Sequence, residues 1–208
     1  MKLETVVNRL ENKLRAPLPG KQGQITMAPY PINEARFAQQ DLFNARKGAV
    51  LLLLYPGLEG CTVPFIKRPE YDGTHSGQVS LPGGKWEPED MDLQETALRE
   101  TEEEIGVGKS QIKLIGSLSR LFIPPSNFLV TPYIGYTEEL PSFKPDPREV
   151  SRIIQCTFEE LVDHRIRKET SLKLHSGHEV MAPYFDIDEE VVWGATAMIL
   201  GELMAVWY

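Results

Sequence analysis

The chain has 208 residues, 41% of them hydrophobic, and 30 acidic against 22 basic side chains give it a net charge of −8. That length suits one domain with a sizeable core and is too short for two large ones. The acidic balance argues against a nucleic-acid-binding surface, which needs a basic footprint, but not against an anionic small molecule, since a bound metal can supply local positive charge.

Residues 2–15 carry Leu3, Val6, Val7, Leu10 and Leu14 at helical spacing, which predicts an amphipathic helix. Its apolar face is expected either to pack on its own domain or to serve as a homodimer contact. Acids and bases are mixed through this segment, unlike a signal peptide. From Ala16 to about Lys47, Pro17, Pro19, Pro29 and Pro31 interrupt regular structure, so residues 1–47 read as a helix and extended connector packing on a domain of residues 48–208. Gly48 to Tyr55 and Thr62 to Lys67 are apolar strands joined by a turn at Pro56–Gly60, Arg68 to Ser76 is a loop, and Val79 to Leu81 is a short strand leading into Gly83 and Gly84.

A helix follows, with Asp92 as cap, Glu95 completing a box and Gly106 as stop. Leu93, Ala97, Leu98, Thr101 and Ile105 share one side, and Glu100, Glu103 and Glu104 cluster beside it. Downstream, Ile112 to Phe122 and Phe128 to Glu138 read as strands, and a Pro-rich linker leads to a further strand from Glu149 through Cys156. Phe158 to Asp163 then forms a short helix. Ser171 to Leu174 and Glu179 to Asp186 form a hairpin around Ser176–Gly177, and Asp188 or Glu189 opens a final apolar helix carrying Trp193 and Trp207. The run Ala49 to Tyr55 is too short to span a membrane, and Val191 to Tyr208 contains Gly194, Gly201 and Glu202, so both read as core. Cys61 and Cys156 lack zinc-site spacing and are expected as buried thiols of a cytoplasmic protein. Alternating strands and helices predict an α/β fold with a mixed sheet flanked by helices.

Carboxylates at i, i+3 and i+4 repel one another, by a few tenths of ~1 kcal/mol per exposed pair. A hard divalent cation offsets this, because Mg²⁺ and Mn²⁺ favour oxygen ligands. The stretch from Gly84 to Val107 resembles the signature of the Nudix hydrolases, G-x5-E-x7-R-E-U-x-E-E-x-G-U, with U an apolar residue. Its second half is matched from Arg99 to Val107, with Thr101 where an aliphatic residue is usual. Fourteen residues separate Gly84 from Arg99 instead of thirteen, and Asp90 replaces the isolated Glu. The longer spacing resembles the coenzyme A pyrophosphatase branch. So do Arg68, then His75-Ser76-Gly77-Gln78-Val79-Ser80-Leu81-Pro82-Gly83-Gly84, the stretch Pro125 to Pro132 and the stretch Val192 to Ala197.

The resemblance implies a Nudix α/β/α sandwich and metal-dependent cleavage of coenzyme A, or a derivative, to 4′-phosphopantetheine and adenosine 3′,5′-bisphosphate. Another nucleoside diphosphate derivative, such as ADP-ribose, a dinucleotide or a nucleoside triphosphate, is the alternative substrate. A catalytically silent nucleotide-binding regulator is the alternative of another class, although such domains commonly lack the carboxylates this chain retains. The resemblance further implies that Glu100, Glu103 and Glu104 hold Mg²⁺ or Mn²⁺ with help from the Gly83 carbonyl. Arg99 is then expected to orient an acid of the site, or to form a helix-to-loop ion pair with Asp90. Glu149 is the expected fourth acid from outside the helix, and either it or Glu100 is the general base. Arg68, His75, Gln78 and Ser80 are the expected substrate-binding residues.

Overall fold

A computed structural model describes residues 1–32, 44–70, 76–173, 177 and 179–208; His75, His175 and His178 lie outside the described residues. The long apolar run becomes β1 (Arg46–Gly57), the central strand of an eight-stranded mixed sheet among the described residues. It runs parallel to β7 (Phe128–Tyr136) from Arg46↔Phe128 to Leu54↔Tyr136. Its other edge is shared: the first half pairs antiparallel with β4 (Gly83–Lys85), the last residues with β2 (Gly60–Lys67). Beyond β2 lie β3 (Val79–Ser80) and β8 (Arg152–Thr157); beyond β7 lie β5 (Lys113–Ser117) and β6 (Leu121–Ile123).

Because a strand alternates its side chains, β1 feeds two separate cores. Ala49, Leu51 and Leu53 pack with Ala97 and Ile105 of α3 (Leu93–Ile105), while Leu52 and Leu54 face α1 (Leu3–Lys13) and α5 (Gly194–Trp207). Every one of these side chains is fully buried. The chain is thus an α/β/α sandwich, as the sequence predicts. Val6, Val7 and Leu10 bury the apolar face of α1 within this same chain, the first of the two alternatives for that face.

Several local expectations change. The strand expected over Ile112 to Phe122 is two strands, β5 and β6, with a bulge between Leu114 and Gly116. The connector carries a turn of helix, α2 (Lys21–Gln24), followed by a 3₁₀ turn at Ile25–Met27. A short helix, α4 (Phe158–Leu161), follows β8, and then comes a three-stranded antiparallel sheet of β9 (Arg167–Lys173), β10 (Glu179–Ile187) and β11 (Glu190–Trp193). Asp188 and Glu189 do not open the last helix. Both have positive φ and form the two-residue turn between β10 and β11, the left-handed geometry that suits a tight hairpin. Trp193 therefore ends a strand, and α5 begins at Gly194. Trp207 is core, edge-on to Phe158 at 4.8 Å. No helix of the described residues is long and apolar enough to cross a membrane.

Glu202 fastens the connector to this frame. Its carboxylate is fully buried on α5 and accepts from Gly20 N at 3.1 Å, Ser119 N at 3.1 Å and Gln24 Nε2 at 2.9 Å. Glu202→Leu removes three hydrogen bonds to a buried carboxylate, so urea unfolding is expected to show a loss of about 3 kcal/mol. Glu202→Gln keeps one acceptor and is expected to lose less.

Candidate metal and diphosphate site

Helix α3 is fixed at both ends. Asp92 accepts from Gln94 N and Glu95 N at 2.8 and 2.9 Å, and Glu95 accepts in return from Met91 N at 2.9 Å. Gly106 closes the helix in the left-handed conformation, φ 74°, its N–H donating to Glu102 O. Thr101, fully buried in an aliphatic setting, donates its hydroxyl to Ala97 O at 2.6 Å. The polar substitution in the motif is thereby satisfied within the helix.

The three helix carboxylates occupy different surroundings. Glu104 follows Ala97 by seven residues and Thr101 by three, so it falls on the buried face and its side chain is 1% exposed. Its Oε2 accepts from Gly83 N at 2.7 Å; its Oε1 is buried and receives no hydrogen bond. The Arg68 guanidinium stands 3.7 Å from that oxygen, an ion pair longer than a hydrogen bond. Burial pushes the Glu104 carboxyl up to about 8, against the opposing pull of Gly83 N–H and Arg68. Glu100 is raised too, mainly by burial. Glu103 points outward, 57% exposed, and pairs with Arg99 Nη1 at 3.0 Å.

Glu149 joins from outside the helix, in the turn before β8 and not in the strand itself. That turn is docked on the end of α3: Asp146 N donates to Glu104 O at 3.1 Å and Lys144 N to Ile105 O at 2.9 Å. Val150, next in the chain, is 2% exposed in the α3 core. As a result Glu100, Glu104 and Glu149 present carboxylate oxygens that all lie within 4.8 Å of one another.

Gly83 and Gly84 make this approach sterically feasible. Gly83 has φ 145°, and a Cβ there would sit 2.3 Å from Ala49 O; a Cβ on Gly84 would sit 2.4 Å from the Glu100 carboxylate carbon. Arg99 makes the expected ion pair with Asp90 and also bonds Glu100 and Glu103, its five N–H donors all engaged. Nε and Nη2 hold Asp90 at 2.8 and 2.9 Å, Nη2 also reaches Lys85 O, and Nη1 reaches Glu100 and Glu103, each at 3.0 Å. Asp90 also accepts from Thr96 and from Glu87 N, and these bonds, the Arg99 ones foremost, hold its carboxyl well below the usual carboxylate range.

Of the residues expected to bind substrate, Arg68 stands 3.7 Å from Glu104, and Gln78 O accepts from Arg68 N at 3.0 Å. Ser80 pairs with Ile66, two residues before Arg68, so the pleat puts all three on one face; the Ser80 hydroxyl is buried without a hydrogen-bond partner. His75 lies outside the described residues. A buried carboxylate oxygen without a donor, facing two further carboxylates, fits an oxygen-preferring divalent cation. The unequal burial of Glu103 and Glu104 is the feature that grouping the three acids misses. The interval from Ala97 and Thr101 carries the signal for it.

The sequence pattern of the NUDIX domain matches residues 45–187. The chain is 35% identical over 175 residues to Nudix hydrolase 15, mitochondrial, of Arabidopsis thaliana, covering 81% of this chain and 61% of the plant protein. It is 32% identical over 163 residues to an uncharacterised Nudix hydrolase, NudL, of Yersinia enterocolitica, covering 77% of this chain and 80% of that one. The chain thus spans about three-fifths of the length of the plant relatives it matches, 61% and 57% for two of them. A crystal structure of a MutT/nudix family protein from Enterococcus faecalis superposes with TM-score 0.51 at 18% identity, over 78% of this chain and 62% of that chain, and shares its fold. With the conserved pattern spanning both the acidic helix and the sheet that carries it, the chain belongs to the Nudix family.

Proposed function

We propose that this chain is a divalent-metal-dependent hydrolase that cleaves a diphosphate bond, with coenzyme A or a derivative as the substrate. The observation that carries the reading is the convergence of Glu100, Glu104 and Glu149 around a buried carboxylate oxygen that lacks a donor. Membership of the Nudix family and the retained motif acids support it. Substrate choice rests on Arg68, the motif from His75 to Gly84 and the additional residue between Gly84 and Arg99.

Glu100, Glu104 and Glu149, with the Gly83 carbonyl, would hold a cation such as Mg²⁺ or Mn²⁺, which would supply charge neutralisation for the diphosphate oxygens and a lowered pKa for water. Glu104 is the anchor, since Gly83 N–H fixes one of its oxygens. Arg99 holds Glu100 and Glu103 on the solvent side, where Glu103 adds a further carboxylate at the rim. Glu149 is exposed and lies on the open side of the group, which suits it to accept a proton from the attacking water; Glu100, half-buried and tied to Arg99, is the second candidate for that role. The chemistry of a diphosphate leaves little for the protein beyond such positioning and charge stabilisation.

Incubation with coenzyme A and Mg²⁺ or Mn²⁺ is expected to release 4′-phosphopantetheine, identified by mass. No cleavage with either metal would move the substrate to another nucleoside diphosphate derivative. Glu104→Gln is expected to lower turnover by about 10²-fold or more with an unchanged circular dichroism spectrum, and Glu103→Gln to lower it as well. Near-native rates in both variants would remove the metal-site assignment.

The Glu104 carboxyl also predicts a pH dependence. Its folded value of about 8 lies above the ordinary carboxyl value of 4.5, so the folded metal-free protein binds that proton more tightly. The associated stability is present below the unfolded value and is lost as pH rises through the folded one. In chelator, the melting temperature is therefore expected to fall between those values, and Glu104→Gln to flatten the slope. Metal binding needs the ionised form, so Mn²⁺ affinity is expected to rise toward pH 8 and then level off.

A further inference from the structure

Among the described residues, Arg68 and Glu104 form a long ion pair of 3.7 Å that leaves Glu104 Oε1 without a hydrogen bond. Glu104 is immobile: its side chain is 1% exposed, and Gly83 N–H holds one of its oxygens. The other oxygen has Arg68 Nη2 at 3.7 Å, close enough for attraction and too far for a hydrogen bond. Arg68 differs from its partner in freedom. Its backbone is fixed just past β2, where its N–H donates to Gln78 O and its carbonyl accepts from Ser151 Oγ, yet its side chain is 30% exposed. A guanidinium so placed can leave a buried carboxylate without disturbing the core. Arg99, the other arginine beside these acids, cannot, because its five donors are engaged.

We propose that Arg68 is a displaceable counter-ion: in the metal-free protein it stands against the ionised form of Glu104 at Oε1, yields that oxygen to the metal, and then turns its guanidinium to the diphosphate of the substrate. The proposal rests on the metal-dependent reading given above. Two cations compete for one oxygen, so Arg68 weakens metal binding while substrate is absent. Once the metal has arrived, the planar fork of donors beside it matches phosphate oxygens. Metal and diphosphate then favour each other's binding, because each takes one partner of a pair that held both sites closed. The buried Ser80 hydroxyl, on the same sheet face and without a partner, gives a neutral donor beside that fork.

The test is calorimetric titration at about pH 9, where Glu104 is ionised, of Mn²⁺ into the substrate-free wild type, Arg68→Met and Arg68→Lys, followed by titration of inorganic pyrophosphate at saturating Mg²⁺. Arg68→Met is expected to bind Mn²⁺ more tightly than wild type, by roughly tenfold, and pyrophosphate more weakly by a similar factor, the ratio that corresponds to about 1.4 kcal/mol. Arg68→Lys, which keeps the charge, is expected to restore much of the wild-type Mn²⁺ affinity and less of the pyrophosphate affinity. Equal or weaker Mn²⁺ binding by Arg68→Met would overturn the counter-ion role, and unchanged pyrophosphate binding would overturn the transfer to substrate. A wild-type protein that binds no Mn²⁺ would overturn the metal-site reading and this inference together.

Discussion

One hydrogen bond organises the site: Gly83 N–H to the buried carboxylate of Glu104. It joins the strand that pairs with the centre of the sheet to the helix packed over it, and it requires an acid inside a hydrophobic layer. Taking a carboxylate out of water costs several kcal/mol, a penalty of roughly the size that burial of any single charge incurs. The fold bears that cost with one backbone donor and one distant arginine, and leaves an oxygen unmatched. Such an imbalance is characteristic of a place kept for a ligand, where local stability is given up for binding.

Around that bond the other acids are placed by separate means. Glu100 is set by helix phase and by Arg99, and Glu149 by a turn whose backbone N–H groups dock on the carbonyls at the end of α3. The loop before the helix is braced independently, since Asp90 accepts from Arg99, Thr96 and Glu87. Asp90, with one additional residue before Arg99, therefore forms a buried ion pair with that arginine. Rigid elements on three sides define the group before any ligand arrives, which is the condition for charge stabilisation in a water-poor site.

Much of this was legible from sequence because the relevant signals are local. The α3 cap and the Gly106 stop follow from residue spacing alone, and the ion pair of Asp90 with Arg99 is one of the two alternatives that the sequence leaves open for that arginine. The misreadings share a cause. Asp188 and Glu189 look like helix-opening acids, yet a two-residue hairpin with left-handed backbone accepts Asp as readily, and only the pairing of β10 with β11 distinguishes the two. The interruption between β5 and β6 depends likewise on register against β7. Glu149 was legible as an acid of interest but not as a turn residue, because its position is set by hydrogen bonds to a helix more than forty residues upstream.

The placement of α1 against α5 has a consequence for how the chain comes together. Val6, Val7 and Leu10 are buried in a core that α5 completes, Arg9 lies over the Trp207 ring at 4.1 Å and donates to its carbonyl, and Glu202 ties Gly20 and Gln24 to the same helix. The first helix of the sequence is thus covered partly by the sheet and partly by the last helix, and only α5 completes the enclosure of its apolar face. During synthesis the intervening sheet emerges while that stripe is still open to water and to other chains. Closing so long a loop adds little to the entropic cost, which grows only logarithmically, but it makes the final packing step non-local and hence slow. Until α5 is in place, part of that apolar stripe stays exposed, the kind of surface on which chains associate.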